Sequence, residues 1–109
     1  MLGPIIRAGD LRHRPMLQRL EESVDAAGGL VHEWVDVLEV FAKCEYLSGR
    51  ELEAAQRINA AVQARFTVNY RTLSPKDNRF AWDAKNWNIH AILPDTEKRY
   101  SALLVSETK

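Results

Sequence analysis

The chain has 109 residues, in which 15 lysines and arginines balance 15 aspartates and glutamates, and a single cysteine. We expect residues 1–109 to form one domain, because this length supports a hydrophobic core but not two. A net charge of zero gives no general attraction to nucleic acid or membrane, and one cysteine excludes an internal disulfide. No apolar run approaches the length of a membrane span, so we predict a soluble protein.

The neutral total conceals segments of opposite charge. Residues 1–20 hold four arginines and one aspartate, residues 21–53 hold nine acids and two bases, and residues 54–109 hold nine bases and five acids. This distribution favours side-by-side association of identical subunits, in which the basic region of one copy meets the acidic region of another. Solvated faces without a partner explain it equally well.

The first half of the chain reads mainly as strands. The first ten residues show no periodicity, and we predict a flexible arm there. "LRHRPMLQRLEE" indicates a strand that Pro15 restricts to an edge or a bulge. "SVDAAGG" has the residues of a turn. The following "LVHEWVDVLEVFAKCEYL" is rich in β-branched and aromatic residues, which predicts one long strand or two strands joined by a kink.

A short helix is predicted over residues 48–63. Ser48 and Glu51 have the spacing of a capping box, in which each side chain bonds to the backbone N–H of the other residue. Leu47 and Leu52 are placed to form a hydrophobic staple around it. We expect the helix to end at residues 62–65, where alternation begins. Leu52, Ala55, Ile58 and Val62 form its apolar stripe, and Asn59 falls on the same side.

Strand patterns fill the remainder of the chain. "RFTVNYR" alternates as a half-buried strand does, and "RFAWDAKNWNIHAIL" indicates a hairpin that bends at "DAKN". "RYSALLVSE" is the last predicted strand. The predicted fold is therefore mainly β: a small antiparallel barrel or sandwich with one short α-helix inserted between strands.

The residues offer no catalytic or cofactor site. The three histidines lack metal-ligand spacing, and Cys44 shares an apolar strand face with Val40 and Ala42, as a small buried hydrophobe does. There is neither a Gly-rich phosphate loop nor a G-x-S-x-G turn. We predict a protein that is not an enzyme and that binds no cofactor or metal.

Basic residues leave a binding module open as an alternative. Arg12, Arg14 and Arg71 form a candidate basic interface. "RAGDLRHRPMLQR" is basic, and a second stripe combines arginines with aromatic residues: Arg65, Arg71, Arg79, Tyr70, Phe80 and Trp82. Small β-barrels bind single-stranded nucleic acid through such basic grooves and aromatic platforms. Strand alternation argues against it, because it turns Phe66 and Tyr70 toward the core while the arginines face outward.

Five stretches occur in the order of a known family: "AGDLRHRPMLQR", "DAAGG", "EWVDVLEVFAKCEYLSGRELEAAQ", "RFTVNYR" and "RYSALLVSE". Over residues 8–107 the chain resembles the head–tail joining proteins of tailed bacteriophages and prophages, also termed head-closure or stopper proteins. The resemblance implies a β-barrel that assembles as a ring below the portal and its adaptor. Such a ring closes the DNA-filled head and provides the docking platform for the tail.

The resemblance also implies partners and a location. The partners are other copies of the chain, portal and adaptor proteins, tail proteins, and packaged double-stranded DNA without sequence specificity. No membrane is involved. The location is the head–tail junction of the virion, after assembly in the bacterial host cytoplasm. The alternatives are a tail terminator, which is another neck protein of similar size, and the single-stranded nucleic-acid-binding module.

In some members of that family, the segment between the second strand and the strand after the helix projects into the channel as a plug. Carried onto this chain, it runs from residue 44 to residue 62. The candidates for the channel or a subunit interface are Cys44, Leu47, Ser48, Arg50, Glu51, Glu53 and Arg57. A helix that only covers an open end of the barrel is the alternative interpretation.

Two positions depart from the family pattern. Pro15 stands where a β-branched residue is usual, which predicts irregular pairing of the first strand. "WDAKNWN" lacks the commoner turn glycine, so we expect a longer bend in that hairpin.

Overall fold

The computed structural model describes residues 8–108, which form a single antiparallel sheet and one α-helix. The elements are a 3-10 helix at Ala8–Asp10, β1 Met16–Val24, β2 Leu30–Glu39, β3 Ala42–Tyr46, α1 Gly49–Ile58, β4 Ala64–Asn69, β5 Asn78–Trp82, β6 Lys85–Pro94 and β7 Tyr100–Glu107. The strands lie in the order β2-β1-β5-β6-β7-β4-β3. The predicted mainly β fold with one inserted helix is confirmed. The sheet is barrel-like but is not a closed barrel. Most of the predicted arm, residues 1–7, lies outside the described residues.

The long apolar segment after the first turn forms two strands, which was one of the two predicted alternatives. Between β2 and β3, the backbone N–H of Val40 donates to the carbonyl of Pro15 at 2.9 Å. His13 and Ala42 then form an isolated antiparallel bridge. The segment ahead of β1 therefore lies against β3, at the opposite edge of the sheet from β2. This contact curls the sheet around its core.

β1 begins immediately after Pro15, whose missing N–H cannot contribute to a ladder. The pairing of β1 with β2 then shifts register between Leu17 and Gln18. The predicted irregularity of the first strand is confirmed. Of the two placements that Pro15 predicted, the edge is wrong, because β1 lies inside the sheet between β2 and β5, whereas the register shift agrees with a bulge.

Alternate residues of the strands fill one core inside the curl. Phe66, Phe80 and Trp87 are fully buried, and the ring of Phe66 lies 5.9 Å from that of Phe80 and 5.3 Å from that of Trp87. The indole Nε1–H of Trp87 donates to the carbonyl of Trp82 at 3.1 Å, so its polar atom is satisfied. Tyr46 packs edge-on against Trp87, with ring centres 5.7 Å apart.

The connection between β5 and β6 is shorter than predicted. Trp82 pairs with Lys85, which leaves only Asp83 and Ala84 in the turn. Both have positive φ, 55° and 60°, as in the type I′ turns whose twist matches that of the flanking strands. The expectation of a longer bend is wrong, because a two-residue turn forms here without glycine.

β1 and β2 continue beyond the rest of the sheet as a two-stranded ribbon. β1 pairs with β5 only as far as Arg19, whereas its pairing with β2 runs on to Val24, opposite Leu30. Residues 20–34 are termed the ribbon from here on. All of residues 21–33 are exposed. The molecule is accordingly elongated, with extents of 53 × 28 × 26 Å.

Candidate interaction surface at the helix

The candidate site consists of α1 and the loops that join it to β3 and β4. The helix ends at Ile58, several residues before the predicted end. Asn59 is extended, with a φ of −153°, and its side-chain Oδ1 accepts a hydrogen bond from the backbone N–H of Ala61 at 2.9 Å. Asparagine competes with helical hydrogen bonding in this way, which explains the early end.

The predicted capping box does not form. Ser48 is the N-cap residue, but its side chain makes no capping hydrogen bond. Glu51 instead lies 3.5 Å from Nη2 of Arg65 on β4. The same guanidinium donates from Nε and Nη2 to Oε1 of Glu45 on β3, at 3.1 and 2.9 Å. The carboxylate that was predicted to cap the helix therefore ties its first turn to the sheet.

The helix packs on the outer face of the sheet, over a second buried cluster. Leu104 of β7 belongs to this cluster, whereas its neighbours Leu103 and Val105 belong to the main core. Because side chains alternate along a strand, Leu104 points away from the main core. The interpretation of the helix as a cover for an open barrel end is therefore wrong. The cluster contains Leu47, Ala55, Val62 and Leu104, with Leu52 and Ala91 packed against them.

Two of the predicted site residues are buried. Cys44 lies in the main core and Leu47 in the cluster under the helix. Burial raises the pKa of the Cys44 thiol to about 12, so the thiol stays protonated and unreactive at neutral pH. The packing of Leu47 and Leu52 in one cluster agrees with the predicted hydrophobic staple. Both residues therefore contribute to internal packing and not to the exposed surface.

The other predicted residues lie at the surface of the helix. Ser48, Arg50, Glu53 and Arg57 are exposed. Within residues 8–108, the two arginines and Glu53 take part in no ion pair, in contrast to Glu51. These three charges are therefore available to a partner.

Sequence reasoning missed one exposed apolar residue of the helix. Ile58, which was assigned to the buried stripe, is 56% exposed because the helix ends there. Helical spacing places it beside Ala54, which in turn neighbours Arg50 and Arg57. These four residues are termed the outward face of α1. Glu53 lies between the two arginines, three residues after Arg50 and four before Arg57, so this side of the helix is net positive, with an apolar spot at its end.

The three candidate basic residues have different local environments. Arg12 donates from Nε to the carbonyl of Gly9 at 3.2 Å, and the guanidinium of Arg14 lies 5.0 Å from the ring centre of Phe41. Arg71 follows β4 and is half-buried, with its Nε buried and without a hydrogen-bond partner.

The described residues show no site for metal chemistry. From residue 8 to residue 108, no group of three or more histidine, cysteine, aspartate or glutamate side chains is placed to hold a metal ion. Over the same range, no helix has the length and apolar character that crossing a membrane requires.

Comparisons with known proteins identify relatives of the chain. A family model described as phage head completion protein matches residues 6–108. The solution structure of protein SF1141 from Shigella flexneri 2a is similar, with a TM-score of 0.78 and 24% identity over 94% of this chain and 96% of that chain. A chain of the virion of a native gene transfer agent particle gives a TM-score of 0.58 and 22% identity over 90% of this chain and 96% of that chain. At these identities the two structures show the fold alone. No protein of curated function matches the chain.

Proposed function

This chain belongs to the phage head completion protein family, whose members are structural proteins of the phage virion, and we propose that it closes the DNA-filled head at the head–tail neck. Copies of the chain form a ring below the portal and adaptor, retain the packaged double-stranded DNA, and present a docking platform to the tail. The observation that carries the proposal is the family match over residues 6–108. The role is binding and occlusion, and it needs no catalytic residue.

We assign closure to α1 and its loops. Leu104 and Arg65 hold the inner side of the helix on the sheet, as described above. A helix fixed on one side keeps its other side in a defined position, which suits a stop in a channel or a contact between subunits. Cys44 and Leu47 are not part of the contacting surface.

The proposed partners follow from this role. They are neighbouring copies of the chain, the portal and adaptor on the head side, and tail proteins on the other side. Ring contacts become favourable on a template that supplies many weak contacts at once, so we expect the isolated chain to be monomeric. Residues 1–109 act as a single domain, assembled in the host cytoplasm and located in the virion neck.

The single-stranded nucleic-acid module receives little support from the geometry. Phe66 is fully buried, so it offers no stacking platform. Two other aromatic rings, those of Phe41 and Trp34, already contact arginine: Arg14 lies on Phe41, and Arg79 lies 4.5 Å from the ring centre of Trp34.

The test uses DNA-filled heads from the matching phage, prepared without this protein. We expect the purified protein to make the packaged DNA inaccessible to nuclease, and tails to attach afterward. The charge reversal Arg50→Glu/Glu53→Arg should weaken this protection while leaving Tm nearly unchanged, since both side chains are exposed. The matched control is Glu97→Arg/Arg99→Glu, which reverses an exposed ion pair of 3.0 Å in the β6–β7 turn. This control should protect the DNA as the wild-type chain does.

Each contrary result has a defined meaning. No protection, together with protein bound to tails, refutes head closure in favour of a tail terminator. Protection by the helix variant at the wild-type level removes the outward face of α1 from the closure surface. A large drop in Tm for that variant shows that the two side chains serve stability instead of assembly.

A further inference from the structure

The ribbon ends in an apolar tip. Val24 and Leu30 lie directly opposite each other at the end of the β1–β2 ladder. Their exposures are 66% and 68%, the highest among the large hydrophobic side chains that the structure describes. Exposed apolar groups that lie together on a projecting element mark a contact surface more often than scattered ones do.

The segment that carries the ribbon is strongly acidic. Residues 20–42 contain six acids and no lysine or arginine, and because the whole chain holds 15 residues of each sign, the remainder carries 15 bases and nine acids. Glu21 and Glu33 face each other across the ribbon, and like charges in that position are unfavourable. Arg19 bonds Glu21, whereas Glu33 has no ion pair among residues 8–108. A cationic partner surface relieves this repulsion.

The outward face of α1 has the complementary character. It presents Arg50 and Arg57 without ion pairs, next to the exposed Ile58. Its apolar spot matches the apolar tip, and its positive charge matches the acids of the ribbon. The chain thus carries both halves of one contact.

The two halves lie at opposite ends of the molecule. The ribbon is built where β1 ends and β2 begins, whereas α1 is inserted where β3 ends and β4 begins. In the antiparallel order β2-β1-β5-β6-β7-β4-β3, these connections fall at opposite ends of the sheet. The ribbon therefore cannot reach the helix of its own copy. Between copies the contact is head-to-tail, and such heterologous contacts generate rings when the rotation closes.

We propose that the ribbon of each copy docks on the outward face of α1 of the next copy. The Val24–Leu30 pair packs on Ile58, and Glu22, on the same ribbon face as that pair, lies toward Arg50 and Arg57. Glu21 and Glu33 point to the opposite ribbon face and add to its negative potential. This contact rests on the proposed ring and names the surfaces that build it.

The first experiment detects the contact by cross-linking. Val24→Cys and Ile58→Cys are made in separate proteins, where the buried thiol of Cys44 stays unreactive. The two proteins are mixed and treated with a short bismaleimide, both free at high concentration and bound to DNA-filled heads. We expect the ratio of mixed dimers to homodimers to exceed its random value about tenfold, which corresponds to about 1.4 kcal/mol, and this excess to fall with added salt. Leu93→Cys, at a residue that is 45% exposed on β6, replaces Ile58→Cys as the control and should give the random proportion.

The second experiment excludes an indirect effect on folding. The ribbon is reversed in charge by Glu22→Arg/Glu33→Arg, and the helix by Arg50→Glu/Arg57→Glu, each in its cysteine background. Each reversed protein paired with an unreversed one should lose the cross-linking excess. The two reversed proteins together should regain it, because opposite charges again face each other. A misfolded variant cannot produce such a rescue.

The outcomes separate this inference from head closure. A random proportion of mixed dimers on both free protein and heads overturns the docking, and so does an excess that survives either single reversal. DNA retention without cross-linking refutes the docking and leaves head closure intact. Cross-linking with rescue but without DNA retention supports the docking and refutes head closure.

Discussion

Replacing Leu104 by alanine should loosen the helix while leaving the main core folded. Leu104 is 4% exposed and lies under α1, with Ala55 and Val62 as neighbours in the cluster. The substitution removes three carbon atoms, or about 2.4 kcal/mol at about 0.8 kcal/mol for each buried CH₂ group. The helix can settle over the vacated space, so the total should remain near the lower end of the range of about 2–5 kcal/mol for such truncations.

The matched control is Val105→Ala, one residue further along β7. Val105 is fully buried in the main core, on the opposite face of the sheet. Two methyl groups and the resulting cavity cost about 2–3 kcal/mol. Both variants should therefore lower Tm by about 10–20 °C, at about 4–8 °C for each kcal/mol in a domain of this size. Because both variants lose a similar amount of global stability, a difference in local behaviour at the helix can be attributed to Leu104.

Hydrogen exchange distinguishes the two variants. In the Leu104→Ala protein, the amides of residues 49–58 should exchange about fiftyfold faster, because local opening of the helix becomes easier by about 2.4 kcal/mol. In the Val105→Ala protein these amides should exchange at the wild-type rate under the same native conditions. Wild-type exchange rates in the Leu104→Ala protein, or equal acceleration in both variants, would refute the conclusion that α1 packs on Leu104.

Three further changes have defined expected results. Because burial raises the pKa of Cys44 from its ordinary 9.0 to about 12, thiol labelling at pH 8 should be about a thousandfold slower in the native than in the unfolded chain. The same shift means that the unfolded state loses its proton first, so stability measured by urea unfolding should fall as pH rises from about 9 toward 12. Ala84→Gly should raise stability by about 0.5–1 kcal/mol, because relief of the positive-φ cost exceeds the added entropy of the unfolded chain; Ala84→Val should lower Tm instead. Arg65→Ala should lower the free energy of unfolding by about 1–2 kcal/mol, since it leaves Glu45 partly buried and unpaired. Glu51→Ala, at a side chain that is 62% exposed, should lower it by less than about 0.5 kcal/mol. Equal losses would contradict the assigned geometry.

Much of the fold could be predicted from alternation along the chain. "RYSALLVSE" and the break inside the long apolar segment gave the strands of β2, β3 and β7 nearly where they occur. The helix could be predicted to exist, because its start and its stripe depend on residues close in sequence. Its end could not, because the Asn59 side chain accepts a hydrogen bond from the backbone N–H of Ala61 and overrides a pattern that continues to Val62.

The position of the helix depended on contacts between distant residues. Glu51 was predicted to pair with Ser48, three residues away. Its actual partner is Arg65, which lies on β4. One local feature of the sequence did indicate that something packs on the outer face of β7. Residues 102–105 are an uninterrupted apolar run, and such a run predicts a strand that is covered on both faces. A strand with one solvated face would have had a polar residue at position 104.

β2 forms an outer edge of the sheet, and an exposed edge strand can pair with strands of other molecules and lead to aggregation. A ten-residue edge offers backbone donors and acceptors to any passing strand, including the same edge of another copy. Glu33, Asp36 and Glu39 lie along it, so two such edges brought together repel each other. The register shift between β1 and β2 also makes this edge less regular, which disfavours its pairing with another strand. This edge therefore disfavours the strand-to-strand addition of copies that leads to fibrils.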